Sequence, residues 1–197
     1  MSPEDMKLVE SLNYIADWMA RHAPSAFSPI YQQPSTPEAI ARAEQAVGVA
    51  FHPQLRALLG FANGMTDRAP SLIDAFKLMS LADIVDAHAF LSNEFPDGRN
   101  VERDDGDSVE AAKGVKPAWW CPRWIPFMTN GGGDYLCADM DPARGGRAGQ
   151  VVTYYHDEAF RPKHADDIAR MLADFADGLK AGAYRFDADD EMFLETG

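Results

Sequence analysis

Two stretches of this sequence gather side chains able to hold a metal ion or move a proton. Asp139-Met140-Asp141 sets two carboxylates one residue apart, a spacing that on a strand points both to one side and suits a divalent cation. His156-Asp157-Glu158, with His164 downstream, supplies two imidazoles and two carboxylates near a strand end, the donor types of a zinc site or an acid/base pair. Neither set is complete. A cation site needs more oxygen ligands and Asp141-Pro142 starts a turn equally well, while the separation of His156 from His164 fits no zinc pattern and His164 reads equally as a helix-start residue. Gly131-Gly132-Gly133 could cradle a phosphate through backbone amides, but no helix follows and Asp134 would repel the anion, so a turn is expected. His22, His52 and His88 are scattered. The phosphate-binding, dinucleotide-binding, nucleophile-elbow, zinc-protease and dithiol motifs are all missing from the sequence. The expectation is a protein with no catalytic residues, no cofactor and no metal site.

Other residues suggest contact with a protein. The chain has 18 basic and 31 acidic residues, a net charge of −13, which argues against nucleic-acid or anionic-membrane binding. From Glu94 to Glu110 stand seven acids (Glu94, Asp97, Glu102, Asp104, Asp105, Asp107, Glu110) and two bases (Arg99, Arg103), and from Asp187 to Gly197 five acids and no base. Such runs are either solvated loop and tail or an acidic face that steers a basic partner. Trp119 and Trp120 lie between the first run and the β-rich centre; either both are structural or, if inward and outward positions alternate there, one is core and the other an exposed anchor for a partner. The partner-binding residues expected on these grounds are Glu102, Asp104, Asp105, Asp107, Trp119 and Asp134.

These residues need a scaffold, and the sequence punctuates it clearly. Ser2-Pro3-Glu4-Asp5 opens a helix to about Arg21, with Val9, Leu12, Ala16 and Met19 at helical spacing. Ser35-Thr36-Pro37-Glu38 opens a second that Gly48 closes, and Pro53 opens a third ending at Asn63-Gly64. Leu72 to Met79 reads as extended chain or a bend, and Ser80-Leu81-Ala82-Asp83 is a capping box opening a fourth helix. Glu94 to Pro117 reads as a long loop with a helical turn near Val109–Lys113. Trp124–Met128, Gly133–Ala138 and Gln150–Tyr155 are β-rich runs joined by turns too short for a parallel crossover, which predicts an antiparallel meander. Ile168, Met171, Leu172, Phe175 and Leu179 mark a long helix expected to lie across that sheet, with Asp166 and Asp167 in its first turn. Tyr184-Arg185-Phe186 reads as an edge strand ahead of an acidic tail. The whole is an α+β fold, an antiparallel β-sheet meander packed by several α-helices. One domain over residues 1–197 is expected, with an N-terminal helical extension to about 34 and an acidic tail over about 187–197. The opening residues carry neither the basic nor the apolar part of a secretory signal, so the expectation is a cytoplasmic protein whose Cys121 and Cys137 are reduced and buried.

Two segments in order resemble the SUKH superfamily, specifically its Knr-type members related to fungal cell-wall-assembly regulators. The first is Thr36-Pro37-Glu38-Ala39-Ile40, Ala43-Glu44, Val47-Gly48-Val49, Pro53, Leu55, Leu58-Leu59 and Asn63-Gly64. The second is Trp124-Ile125-Pro126-Phe127, the run from Asn130 to Pro142, Gly149-Gln150-Val151-Val152 and His156-Asp157, with Phe76 to Leu81 between the two. The family usually has Leu-Pro where this chain has His52-Pro53, and its central loop looks shorter. The resemblance implies an α+β fold without catalytic residues. It also implies either an immunity protein that neutralises a cognate toxin, such as a nuclease with a basic surface, or a regulatory scaffold in envelope or signalling assemblies.

Overall fold

The computed structural model describes residues 3–24, 27–98, 109–189 and 191–196. In chain order the elements are α1 (Pro3–His22), α2 (Pro37–Val47), α3 (Pro53–Phe61), β1 (Lys77–Leu78), α4 (Leu81–Glu94), β2 (Glu110–Ala111), β3 (Trp124–Thr129), β4 (Tyr135–Asp139), β5 (Gln150–Tyr154), β6 (Phe160–Arg161), β7 (Lys163–Ala165), α5 (Ile168–Lys180), β8 (Tyr184–Asp187) and β9 (Met192–Glu195). This is an α+β fold.

The helix stops and starts follow from side-chain chemistry. The Thr36 hydroxyl accepts the Ala39 N–H at 3.2 Å, and Gly48 ends α2 in the left-handed conformation. At α4 the box closes both ways: Ser80 Oγ accepts the Asp83 N–H and the Asp83 carboxylate accepts the Ser80 N–H, each at 3.2 Å. Asp167 is the cap of α5 and accepts the Arg170 N–H at 2.7 Å, so the helix begins after Asp166 and Asp167 where both were expected inside its first turn. Ser2, read as the cap of α1, lies outside the described residues. The third helix stops at Phe61, short of Asn63-Gly64, because that pair serves the next element. Asn63 Oδ1 accepts the Leu81 N–H at 2.8 Å, and Gly64 sits so close to Ser80 that a Cβ would fall 2.7 Å from its nitrogen.

The main sheet is antiparallel in the order β1-β3-β4-β5-β7. Its three central strands, β3 to β5, are buried on both sides, since their residues alternate between two apolar clusters. Ile125, Phe127, Met128, Leu136, Ala138 and Val151 join the larger cluster with the helices. Trp124, Cys137, Val152 and Tyr154 face the smaller, which Leu91, Val115, Trp119, Trp120 and Cys121 complete. A register shift between Pro126 and Met128 lets Phe127 and Met128 both enter the larger cluster. Each indole here removes roughly 200 Å² from water, about 5 kcal/mol before entropy is charged against it.

Several expectations need correction. Val109–Lys113 holds a strand where a helical turn was read: β2 pairs in parallel with β6, and the Glu110 N–H donates to Ala159 O at 2.9 Å. No helical period competes there, so the edge offered by β6 decides the conformation. His164 lies within β7, not at a helix start. Helix α5 runs chiefly along α1 and reaches the sheet at β7, because α1 presents Leu8, Leu12, Ile15, Trp18 and Met19 as a buried stripe that needs a partner. The acidic segment after Asp187 contains β9, which pairs with β8 and buries Phe193 against Trp18 and Phe175, with ring centroids at 5.5 and 4.9 Å. Trp119 and Trp120 are both buried, which fits the structural reading of the pair and not the anchor reading; they lie outside any strand, so the alternation that would turn one outward does not apply.

Candidate functional site

The β3–β4 turn and the end of β5 meet at one end of the sheet. The Asn130 side-chain oxygen accepts the N–H groups of Gly132 and Asp134 at 2.8 and 3.1 Å, closing the turn that the glycines permit. Asp134 then ties the turn to the strand beyond: its Oδ1 accepts the His156 N–H at 3.0 Å and pairs with His156 Nδ1 at 2.8 Å, while Oδ2 accepts Asn130 Nδ2 at 2.8 Å. Burial pushes the Asp134 carboxyl up, but the hydrogen bonds from His156 and Asn130 outweigh it and hold the group below its ordinary value. The same carboxylate raises the His156 pKa. Asp157 lies 3.9 Å from His156 Nδ1, so Asp134, His156 and Asp157 form a cluster of metal-ligand type among the described residues. In this geometry Asp134 Oδ1 and His156 Nδ1 are engaged with each other, and Asp134 Oδ2 with Asn130.

Asp139 and Asp141 sit at the opposite end of the meander. Asp139 pairs across to Gln150 whereas Tyr135 pairs with Tyr154, so the two ends are four residues, roughly 13 Å, apart along β4. Asp139 is buried; it accepts the Asp141 N–H at 2.9 Å and Gln150 Nε2 at 2.8 Å, and Gln150 Nε2 also donates to Gly114 O at 2.7 Å. Burial pushes its pKa up, partly offset by those donors. Asp141 pairs with Lys116. Asp139 and Asp141 therefore close the loop ahead of β5 and do not converge with His156.

Beside the Asp134–His156 pair a half-open groove of about 330 Å³ runs between α4 and the sheet end, lined by Phe90, Leu91, Glu94, Phe95, Gly133, Tyr135, Tyr154 and His156. Helix α4 positions it through a buried stripe of Leu81, Ile84, His88 and Leu91, with His88 Nε2 at 2.8 Å from Pro122 O and its ring edge-on to Trp120. Burial lowers the His88 pKa, which leaves the ring neutral as an N–H donor to that carbonyl. The opposite face of α4 carries Asp83, Asp86, Phe90 and Glu94, spaced three and four apart and exposed, with Asp97 just beyond. The helix contains no Lys or Arg, and Phe90, at 62% exposure, is more open than Met6 and Phe160, the other exposed large apolar side chains among the described residues.

Below the groove lies Arg161, wholly buried between two rings: its guanidinium carbon is 4.8 Å from the ring centroids of both Trp119 and Tyr154. It donates to Trp119 O from Nη2 at 2.9 Å and to Glu158 O from Nη1 at 2.6 Å. Of the residues expected to touch a partner, Asp134 is thus a turn brace at the groove's edge. Trp119 is a 2% exposed support beneath it, where an anchor would have to be open to solvent. Glu102, Asp104, Asp105 and Asp107 lie outside the described residues. Phe90 and Asp86 were missed, Asp83 was read only as part of the capping box, and Glu94 only as the start of the acidic run. A helical projection of 81–94 would have shown an aromatic residue stranded on the acidic side, the one signal available without coordinates.

Comparison with known sequences agrees with this architecture. The SMI1 / KNR4 family (SUKH-1) pattern matches residues 34–178, from just before α2 to near the end of α5. A cell wall assembly regulator SMI1 of Saccharomyces cerevisiae is 24% identical over 217 aligned residues, 93% of this chain and 43% of the yeast protein. A glucan synthesis regulatory protein of Neurospora crassa is 32% identical over 83 residues, 42% of this chain and 15% of its own length. The chain spans less than half the length of these relatives. Among the described residues no helix is long and apolar enough to cross a membrane.

Proposed function

The chain belongs to the SMI1 / KNR4 family (SUKH-1), and from that premise we propose that it is a non-catalytic module that works by holding another protein with a basic surface. The observation that carries this reading is the α4 face, where acids without a neighbouring base on the helix surround an exposed phenylalanine. Charged rims around an apolar centre are how protein contacts combine steering with affinity. The overall charge of −13 adds a long-range attraction for cationic surfaces and disfavours phosphate backbones.

In its specific form the proposal is a bacterial cytoplasmic immunity protein that occludes a cognate toxin, a nuclease with a basic substrate surface being the best electrostatic match. The test is co-expression with the product of the neighbouring open reading frame. A stable complex and rescue from toxicity are expected; neither appearing would overturn the immunity reading. A second reading, a regulatory scaffold in envelope or signalling assemblies, is favoured by the two fungal relatives, both named as regulators. Recovery of envelope-assembly proteins in place of a toxin would select it. Under either reading the association rate falls as salt rises, since the screening length shrinks from about 10 Å at 0.1 M to about 3 Å at 1 M.

A further inference from the structure

We infer that the groove between α4 and the end of the sheet receives one large apolar side chain from the partner, delivered by a segment whose flanking residues are Lys or Arg and lie along the acids of α4. The inference rests on the protein-binding reading and deepens it by naming the surface and the chemistry that fits it.

Three observations lead there. The groove's volume of about 330 Å³ is at the lower end of small-ligand pockets and ample for one large side chain. Its walls are mostly apolar: Phe90, Leu91, Phe95, Tyr135 and Tyr154 form them. Its acidic members are Glu94 in the lining, Asp86 exposed one helical turn before Phe90 on the same face of α4, and Asp157 beside the lining residue His156. Those acids select cations for the rim.

The rim's charge suggests a rival, an arginine inserted among the aromatic rings, but the floor argues against it. Tyr154 already has the Arg161 guanidinium stacked 4.8 Å from its centroid, so a second cation over that ring would face a buried like charge. An anion fares no better with Glu94 at the border. A neutral aromatic or aliphatic side chain meets neither objection. It would also cover Phe90, whose exposure is otherwise a standing cost in water.

The test uses the full chain and fluorescein-labelled heptapeptides, Lys-Arg-Lys-X-Lys-Arg-Lys, with X as Trp, Leu, Arg or Ser, together with a Trp peptide whose flanks are Glu and Asp. Fluorescence anisotropy at low salt should show saturable binding of the Trp and Leu peptides. The Ser and Arg peptides should be at least about fivefold weaker, the threshold at which an interface side chain counts as contributing. Phe90→Ser should weaken the Trp peptide by a similar factor, and Asp86→Lys with Glu94→Lys should weaken all basic peptides together. Because Phe90 is exposed, Phe90→Ser should keep its circular dichroism, and Phe90→Leu should retain most of the binding. Equal affinity for Trp, Arg and Ser at X, binding of the acidic-flanked peptide, undiminished binding by Phe90→Ser, or no binding by any peptide would each overturn the assignment. The two levels separate cleanly. Failure of the native chain to hold any co-expressed partner sinks the binding-module reading, whereas partner capture by Phe90→Ser equal to the native chain's sinks this surface alone.

Discussion

Arg161→Ala should destabilise the protein by about 3–5 kcal/mol, and the structure shows where that figure comes from. The side chain is wholly buried, and its two best hydrogen bonds, to Trp119 O and Glu158 O, each join a charged donor to a carbonyl. Such bonds contribute about 1.5–3 kcal/mol apiece, and truncation leaves the carbonyls to find new partners. Two ring stackings at 4.8 Å add about 0.5–2 kcal/mol each. Against this stands relief from keeping a cation out of water, several kcal/mol in its own right. The balance is close to what breaking a buried charged network costs elsewhere. Urea unfolding followed by tryptophan fluorescence measures it directly, provided the slope with denaturant is unchanged. The melting temperature should fall by roughly 6–20 °C, at about 2–4 °C per kcal/mol for a chain of this size. Arg161→Lys should recover about half, because an ammonium cannot lie flat between two rings while bonding two separated carbonyls. An alanine variant within about 1 kcal/mol of the native protein would show that the sandwich contributes nothing net.

Further expectations concern the loops, the surface ion pair and the thiols. Gly146→Ala should cost about 2–3 kcal/mol, since its Cβ would strike the Gly114 carbonyl and come within 2.9 Å of Pro142 Cβ. Gly48→Ala, with open space around it and only a left-handed φ of 75° to maintain, should cost about 1–2 kcal/mol in the same urea assay; equal values would refute the role of the close approach. The His156 pKa lies above its ordinary 6.5, so its contribution is full below that value and lost as pH rises through the raised one. Asp134 lies below its ordinary 3.8, so its share is present above that value and lost as pH falls through the lowered one. Stabilisation by the pair is therefore greatest between the two ordinary values and, at an exposed site, below about 1 kcal/mol. Asp134→Asn should return His156 toward 6.5 in a proton NMR titration, and an unmoved histidine would remove the pair from the account. Burial raises both thiols, Cys137 well above 9.0, so a disulfide reagent should modify neither at neutral pH until urea is added. Prompt modification of the folded protein would contradict that burial.

The parts legible in the sequence were those written in local chemistry. Thr36, Gly48, Ser80 and Asp83 act through partners three or four residues away, so their helix ends could be read directly. The meander was equally legible, because its turns are too short for any other pairing. The failures were all questions of who lies opposite. Glu110 and Ala111 become a strand through Phe160 and Arg161, some fifty residues later. Trp119 turns inward to sit over Arg161, which nothing near residue 119 announces. At the candidate site the net charge was visible, yet the groove was not, since Phe90, Tyr135 and His156 meet only once α4 is docked on the sheet end. Sequence spacing likewise could not separate Asp139 from His156; opposite ends of the same strand pair do that.

The packing of α1 against α5 has a consequence for how the protein is made. The apolar stripe of Leu8, Leu12, Ile15 and Met19 leaves the ribosome about 150 residues before α5, and Trp18 waits longer still for Phe193. Helix α3 covers part of α1 earlier, but at roughly 5–20 residues per second the portion reserved for α5 stays open for about 8–30 seconds. A holdase that recognises exposed aliphatic helices during synthesis should therefore raise the yield of folded protein, and slowing translation without one should lower it.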